Sequence, residues 1–357
     1  MVAKNIDFFL IGMFRSGTTF VSNIINSNRN GHCVYDPAIF IFKTFRNVIL
    51  KRYFKSKVFN STDDLPDYYF SKYTPEYLDF VINEVSFKEK INNYYYRQIK
   101  DQIMINKINQ HPEIENQLIK QENFLSLLNN LIFRISKDFY RNKKYNVSVI
   151  GTKASWCEEF IPALLRSNKK LKIIFLIRKL EDVIYSGLHS ENLSESALRP
   201  IMYYILYWKK SYFFLNYLKK NLTKHNLFSL KYESINSDSV KKLYNYLNLS
   251  NNDSHKKLID QDGKFFKKNT SFSKTHKKKN YELCSAINSI IQDENKNLNY
   301  DIDYKKFDLE RSLKIIMKHE KLLINKKNLN KKYYNYLITN KKKLDTFKKI
   351  LSKKIKI

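Results

Sequence analysis

Two of the six glycines in the chain bracket four residues directly after an apolar run: Phe8-Phe9-Leu10-Ile11 leads into Gly12-Met13-Phe14-Arg15-Ser16-Gly17-Thr18-Thr19. Four apolar residues without polar alternation fit a strand covered on both faces, as in a parallel sheet flanked by helices. Phe20, Val21, Ile24 and Ile25 then recur at helical spacing. Small residues at such a strand-to-helix turn let backbone N–H groups converge at the positive end of the helix, where a phosphate is held. The Thr18 and Thr19 hydroxyls add hydrogen-bonding groups. Gly-Thr at a strand end also serves ordinary helix capping, but the strand-loop-helix context with this glycine spacing is that of a phosphate-binding loop.

Three further apolar runs, at 147–150, 173–177 and 227–230, repeat the pattern of a short buried strand. After the third of the four, Leu180, Val183, Ile184 and Leu188 mark a helix. Alternation of this kind predicts a doubly wound α/β sheet. The stretch from about 40 to 146 is rich in Tyr, Phe, Lys and Asn and poor in breakers, so it reads as a helical insertion. Amphipathic helices are expected over 199–222, carrying Trp208 and Phe213, and over 237–249, with Val240, Leu243, Tyr244 and Leu247 on one stripe. A basic loop is expected over 260–280. Beyond 301 the chain is Lys-rich with helical apolar spacing and ends in a basic tail, 353–357.

With 65 Lys+Arg against 34 Asp+Glu, the formal charge is +31. Such a balance suits a phosphate- or sulfate-bearing partner, a nucleic acid or an anionic membrane surface. Three widely spaced cysteines, Cys33, Cys157 and Cys284, form no paired ligand pattern, which argues for a reducing compartment and against a structural zinc site. No secretory leader and no apolar stretch of the roughly 20 residues needed to span a bilayer is seen, so a soluble, cytoplasmic protein is expected.

A nucleotide triphosphatase carries Lys directly after the second glycine of its loop; here that position is Thr18, and the nearest cation is Arg15. Arg-Ser-Gly-Thr-Thr after a strand resembles the 5′-phosphosulfate-binding loop of sulfotransferases that use 3′-phosphoadenosine 5′-phosphosulfate (PAPS). Arg178, at the end of the 173–177 strand, followed eight residues later by Ser186, resembles that family's 3′-phosphate site, in which Arg offers a planar fork and Ser a hydroxyl. Lys179-Leu180 stand where the family usually has Asp-Pro or Asn-Pro. Gly151-Thr152-Lys153-Ala154-Ser155 resembles the family's Lys-Thr-Pro segment. Leu230-Lys231-Tyr232-Glu233 resembles its strand ending in Tyr-Glu, and the 267–274 loop resembles its late basic loop.

The resemblance spans about residues 6–280 and implies a P-loop-like three-layer α/β fold with a central parallel sheet, in a sulfotransferase domain over 1–300; it does not account for the helical insertion read at about 40–146 or the Lys-rich helical extension read over 301–357. It implies that Arg15, Ser16, Gly17, Thr18, Thr19, Arg178, Ser186, Ser271 and Lys274 bind PAPS, and that no metal is required. Sulfuryl transfer to an acceptor hydroxyl needs a base, plus cations where charge develops on the leaving phosphate oxygen. Arg15 suits the second task. Asp36 matches the position of the family's carboxylate, with His32 in reserve as base, though a lone His there also reads as a polar loop residue. Lys153, at the end of a neighbouring strand, is placed for the sulfuryl oxygens or the acceptor, or else is a solvated Lys. The acceptor expected is a carbohydrate, polysaccharide, glycolipid or small-molecule hydroxyl. No specific nucleic-acid partner is expected, while the basic tail suits peripheral contact with an anionic membrane. Two rival readings are a P-loop-like phosphoryl transferase or nucleotide kinase, and a non-catalytic basic protein binding nucleic acid or membrane surface.

Overall fold

The structure, a computed structural model, describes residues 6–35, 147–155, 157–161, 164–165, 168–188, 201–250, 280–327, 348 and 351. Asp36, Ser271, Lys274, the insertion expected at about 40–146, the basic loop before Asn280 and the 353–357 tail lie outside them. The strands are β1 (Phe8–Gly12), β2 (Gly31–Tyr35), β3 (Val149–Ser155), β4 (Lys172–Ile177) and β5 (Leu227–Lys231). The helices are α1 (Thr18–Ser27), α2 (Leu180–Leu188), α3 (Ile201–Asn221), α4 (Ser237–Leu247), α5 (Tyr281–Ile290), α6 (Gln292–Asn297) and α7 (Leu309–Lys327). These elements fall into two compact units.

The first unit is the α/β sheet predicted from the sequence. Its strand order is β2-β3-β1-β4-β5, with β1 parallel to both β3 and β4, and β2 parallel to β3. Phe8, Phe9, Leu10 and Ile11 are each 0% exposed, which explains why the run shows no alternation: both faces of the central strand are covered. One core cluster joins Phe8 and Leu10 of β1, Val21, Ile24 and Ile25 of α1, and Leu243, Tyr244 and Leu247 of α4. Each such aliphatic side chain, fully buried, is worth about 1.5–3 kcal/mol. A reciprocal capping box starts α4, the Asn236 side chain accepting from Ser239 N (2.9 Å) while Asn236 N donates to Ser239 Oγ (2.8 Å).

Two sequence expectations need correction in this unit. Gly31 to Tyr35 form a fifth strand, β2, at the sheet edge, so His32 is not a loop residue: it lies opposite Ile150 on β2 and is buried. Glycine and histidine obscure the pattern, but Asn26 of α1 mimics a neighbouring strand, donating Nδ2 to Cys33 O (3.1 Å) and accepting from Cys33 N (2.7 Å). The second expected strand, 147–150, is displaced to Val149–Ser155. Its polar residues hid it, although they are satisfied in place: Thr152 Oγ1 donates to Val34 O at 3.2 Å, and Lys153 has a partner described below.

The second unit contains α2, α3 as far as Tyr217, α5, α6 and α7. The expected helix over 199–222 is α3, which buries Ile205, Leu206, Trp208 and Phe214. Asn280 caps α5 by accepting from Leu283 N at 2.9 Å. Glu320 of α7 accepts from Met202 N, in the first turn of α3, at 3.0 Å. Among the described residues no helix is long and apolar enough to cross a membrane.

Burial pushes the Glu320 carboxyl up to about 7, against the opposing pull of the Met202 and Ile201 N–H groups. A carboxyl whose folded pKa is raised contributes stability below its ordinary range and loses it as pH rises through the folded value. Thermal unfolding between pH 5 and 8 is therefore expected to show stability falling with pH. Glu320→Gln should flatten that dependence, and an unchanged slope would contradict the assignment.

Candidate functional site

In the first unit, the turn from β1 into α1 is built by backbone geometry. Ser16 N donates to Met13 O (3.1 Å), and the first helical bonds run from Phe20 N and Val21 N to Gly17 O at 2.9 and 3.1 Å. Gly17 is the residue before α1 and has φ 98°, ψ 17°, a left-handed conformation in which a β-carbon is strained. A β-carbon there would also meet the Tyr232 ring at 2.4 Å. Tyr232, just past β5, thus presses one side of its ring against the loop, and the ring meets Phe20 edge-on with centroids 6.0 Å apart. Arg15 has φ 64°, a second left-handed residue in the same turn. A non-glycine in that region costs on the order of 1–3 kcal/mol and persists only where the surroundings impose it.

Ser16 is 1% exposed, and its Oγ has no hydrogen-bond partner among the described residues. Leaving a buried hydroxyl unmatched costs roughly 1–3 kcal/mol, which an anion accepting its proton would remove. Lys153 of β3 sits opposite Leu10 of β1 and donates Nζ to Thr19 Oγ1 at 3.0 Å. It is buried, so the reading as a solvated lysine is corrected. The geometry brings Lys153 to the start of α1, where the helix dipole already favours negative charge. Among the described residues, no group of three or more His, Cys, Asp or Glu could hold a metal ion.

In the second unit, Arg178 follows β4 directly and is 5% exposed. Its carbonyl oxygen accepts from Trp208 Nε1 at 2.8 Å, and Trp208 is stacked on Tyr212 with centroids 5.8 Å apart. Ser186 is half-buried in the last turns of α2. Burial pushes the Tyr185 hydroxyl well up from its ordinary range, against the hydrogen bond it accepts from Asn280 N at 2.6 Å. Sequence reading gives Tyr232 only as part of the Tyr-Glu strand end and Trp208 only as a residue of an amphipathic helix, and assigns neither a role at the site. Tyr232 was visible as the residue ending a strand, but Trp208 carries no signal beyond its place on an apolar helix face.

With that geometry in hand, the chain matches the family model described as the sulfotransferase family over residues 7–253. No curated protein matches it. Among solved structures, it is similar to the sulfotransferase domain from the Synechococcus PCC 7002 olefin synthase, at 11% identity, covering 89% of this chain and 96% of that one, with a TM-score of 0.38. The sulfotransferase domain from the curacin biosynthetic pathway is 16% identical over 84% of this chain and 99% of its own, with a TM-score of 0.43. Sulfotransferase STF9 from Mycobacterium avium is 10% identical over 86% and 79% respectively, with a TM-score of 0.40.

Gly17→Ala is expected to lower stability by about 1–3 kcal/mol from backbone strain, and by more from the clash with Tyr232. A double-mutant cycle in urea separates the two, because the penalty should shrink in a Tyr232→Ala background. Strict additivity would mean that Tyr232 does not press on the loop.

Proposed function

The chain belongs to the sulfotransferase family, and on that premise we propose that it moves a sulfuryl group from PAPS to a hydroxyl of a carbohydrate, glycolipid or small molecule. The observation that carries this reading is the Ser16 hydroxyl, buried and unmatched in a turn that Lys153 and the start of α1 make electropositive. That donor set suits a phosphosulfate: hydroxyls and backbone N–H groups for equatorial oxygens, and cations for charge.

In this reading Ser16, Gly17, Thr18 and Thr19 hold the 5′-phosphosulfate, and Arg178 with Ser186 holds the 3′-phosphate. Ser271 and Lys274 are assigned to nucleotide binding in the same reading. PAPS supplies an activated sulfuryl group. The acceptor oxygen forms a bond to sulfur as the sulfur–oxygen bond to the phosphate breaks, and the acceptor proton passes to the Asp36 carboxylate. The electron pair remains on the phosphate oxygen, where Arg15 and Lys153 stabilise it. Both cations are suited to this without metal help, Arg15 because it is charged at every working pH and Lys153 because Thr19 fixes its head group. Residues 1–300 would form the sulfotransferase domain and 301–357 an extension of it.

Calorimetric titration with 3′-phosphoadenosine 5′-phosphate, at moderate salt and without magnesium, tests the reading. Stoichiometric binding is expected, weakened at least tenfold by Arg178→Ala, since a charge-assisted bidentate contact is worth roughly 1.5–3 kcal/mol. Asp36→Asn should instead lower turnover far more than nucleotide affinity. Absent binding, or binding that Arg178→Ala leaves intact, would refute the assignment.

A further inference from the structure

Four polar contacts in the second unit close on themselves around the corner that carries Arg178. The Arg178 carbonyl accepts from Trp208 Nε1 of α3 at 2.8 Å. The next residue on α3, Lys209, is ion-paired with Glu294 of α6. The next residue on α6, Asn295, donates Nδ2 to Asn288 Oδ1 of α5 at 3.1 Å. Asn288 Nδ2 donates to Glu181 Oε2 at 2.7 Å, and Glu181 is three residues beyond Arg178. Trp208 and Asn288 are each 1% exposed, Asn295 3% and Lys209 7%, so the ring lies largely out of water. Two braces add to it: the Tyr185 hydroxyl accepts from Asn280 N at 2.6 Å, and Lys179 Nζ sits 5.7 Å from the Tyr300 ring centroid.

A buried ion pair and a chain of buried amides contribute little net stability over well-packed apolar residues, because desolvation offsets the attraction. What a connected polar network does supply is a restricted geometry; one acceptor in it, Asn295 Oδ1, has no hydrogen-bond partner among the described residues. This network converges on the strand-to-helix corner that delivers Arg178, and a guanidinium fork recognises phosphate only when held within about 0.5 Å and 10–20° of its partner.

We propose that this ring is the positioning device of Arg178. Trp208, Asn288 and Glu294 are then positioning residues for recognition of a nucleotide 3′-phosphate. Helices α5 and α6, which lie beyond the stretch matched by the family model, belong to the nucleotide site. The inference rests on the 3′-phosphate role given to Arg178 above.

The test compares affinities for 3′-phosphoadenosine 5′-phosphate and adenosine 5′-phosphate, which differ only in the 3′-phosphate. Asn288→Asp turns a carboxylate toward Glu181, and should lower the ratio of the two affinities roughly tenfold while leaving adenosine 5′-phosphate binding nearly unchanged. Adding Glu181→Gln returns a donor to that contact and should restore the ratio to within about threefold of wild type. Trp208→Phe removes the indole N–H from the opposite side of the ring and should mimic Asn288→Asp, so the test survives if either variant folds poorly. In an Arg178→Ala background both changes should be silent.

A ratio unchanged in both variants, or equal losses for the two nucleotides, would assign the ring to stability alone. Failure of the underlying reading looks different: the wild type itself would not distinguish the two nucleotides, or Arg178→Ala would leave the ratio intact, and the positioning role would fall with it.

Discussion

The sheet unit depends on β1 lying between two parallel neighbours. Pairing with β3 on one side and β4 on the other occupies both edges of β1, whose Phe8 to Ile11 side chains are buried on the sheet faces, and it brings Gly12 opposite both Ser155 and Leu176. The chain must leave β1 in a crowded space: a β-carbon on Gly12 would meet the Leu176 carbonyl oxygen at 2.5 Å. Parallel strands also end at a common edge, so the turn after β1 and the last residues of β3 emerge side by side. Lys153 reaches Thr19 for that reason, although 134 positions separate them in the chain.

Strain in the turn has a counterpart in what it exposes. Arg15 and Gly17 both sit in the left-handed region, with the Ser16 hydroxyl buried between them and unmatched. A loop selected for stability alone would relax two of these features, since the left-handed arginine and the unmatched buried hydroxyl each cost on the order of 1 kcal/mol or more, whereas Gly17 adopts its φ without strain. Their concentration within three residues, at a helix start beside a lysine, is what supports the proposed anion site. Tyr232 lies where a β-carbon of residue 17 would go, so glycine is what the packing there admits.

What the sequence made legible were features carried by single residues with steep conformational or chemical demands. Gly12 and Gly17 announced the loop, the apolar runs announced the buried strands, and Arg178 stood at a strand end. β2 escaped because Gly31 and His32 interrupt its apolar pattern and Asn26, not a strand, satisfies the backbone of Cys33. β3 was misplaced because Thr152 and Lys153 are polar yet buried, and nothing local tells that their partners are Val34 O and Thr19 Oγ1. The ring around Arg178 had no signal at all: Asn288 and Glu181 lie 107 positions apart, and neither is an unusual residue on a helix.

That ring bears on a departure already visible in the sequence. A proline at the first position of a helix fixes φ near about −65° and sets the entry of the chain without any outside contact. Sulfotransferases usually place one just after the arginine, whereas this chain has Lys179-Leu180 and a corner that its own backbone does not restrict. Rigidity lost locally has to come from elsewhere if the guanidinium is to keep one orientation. Trp208 fixes the carbonyl of Arg178, Asn288 fixes Glu181 three residues later, and Lys209 with Glu294 ties the two supports together. Contacts between helices thus stand in for a covalent ring, which gives α5 and α6 a physical reason to be part of this protein.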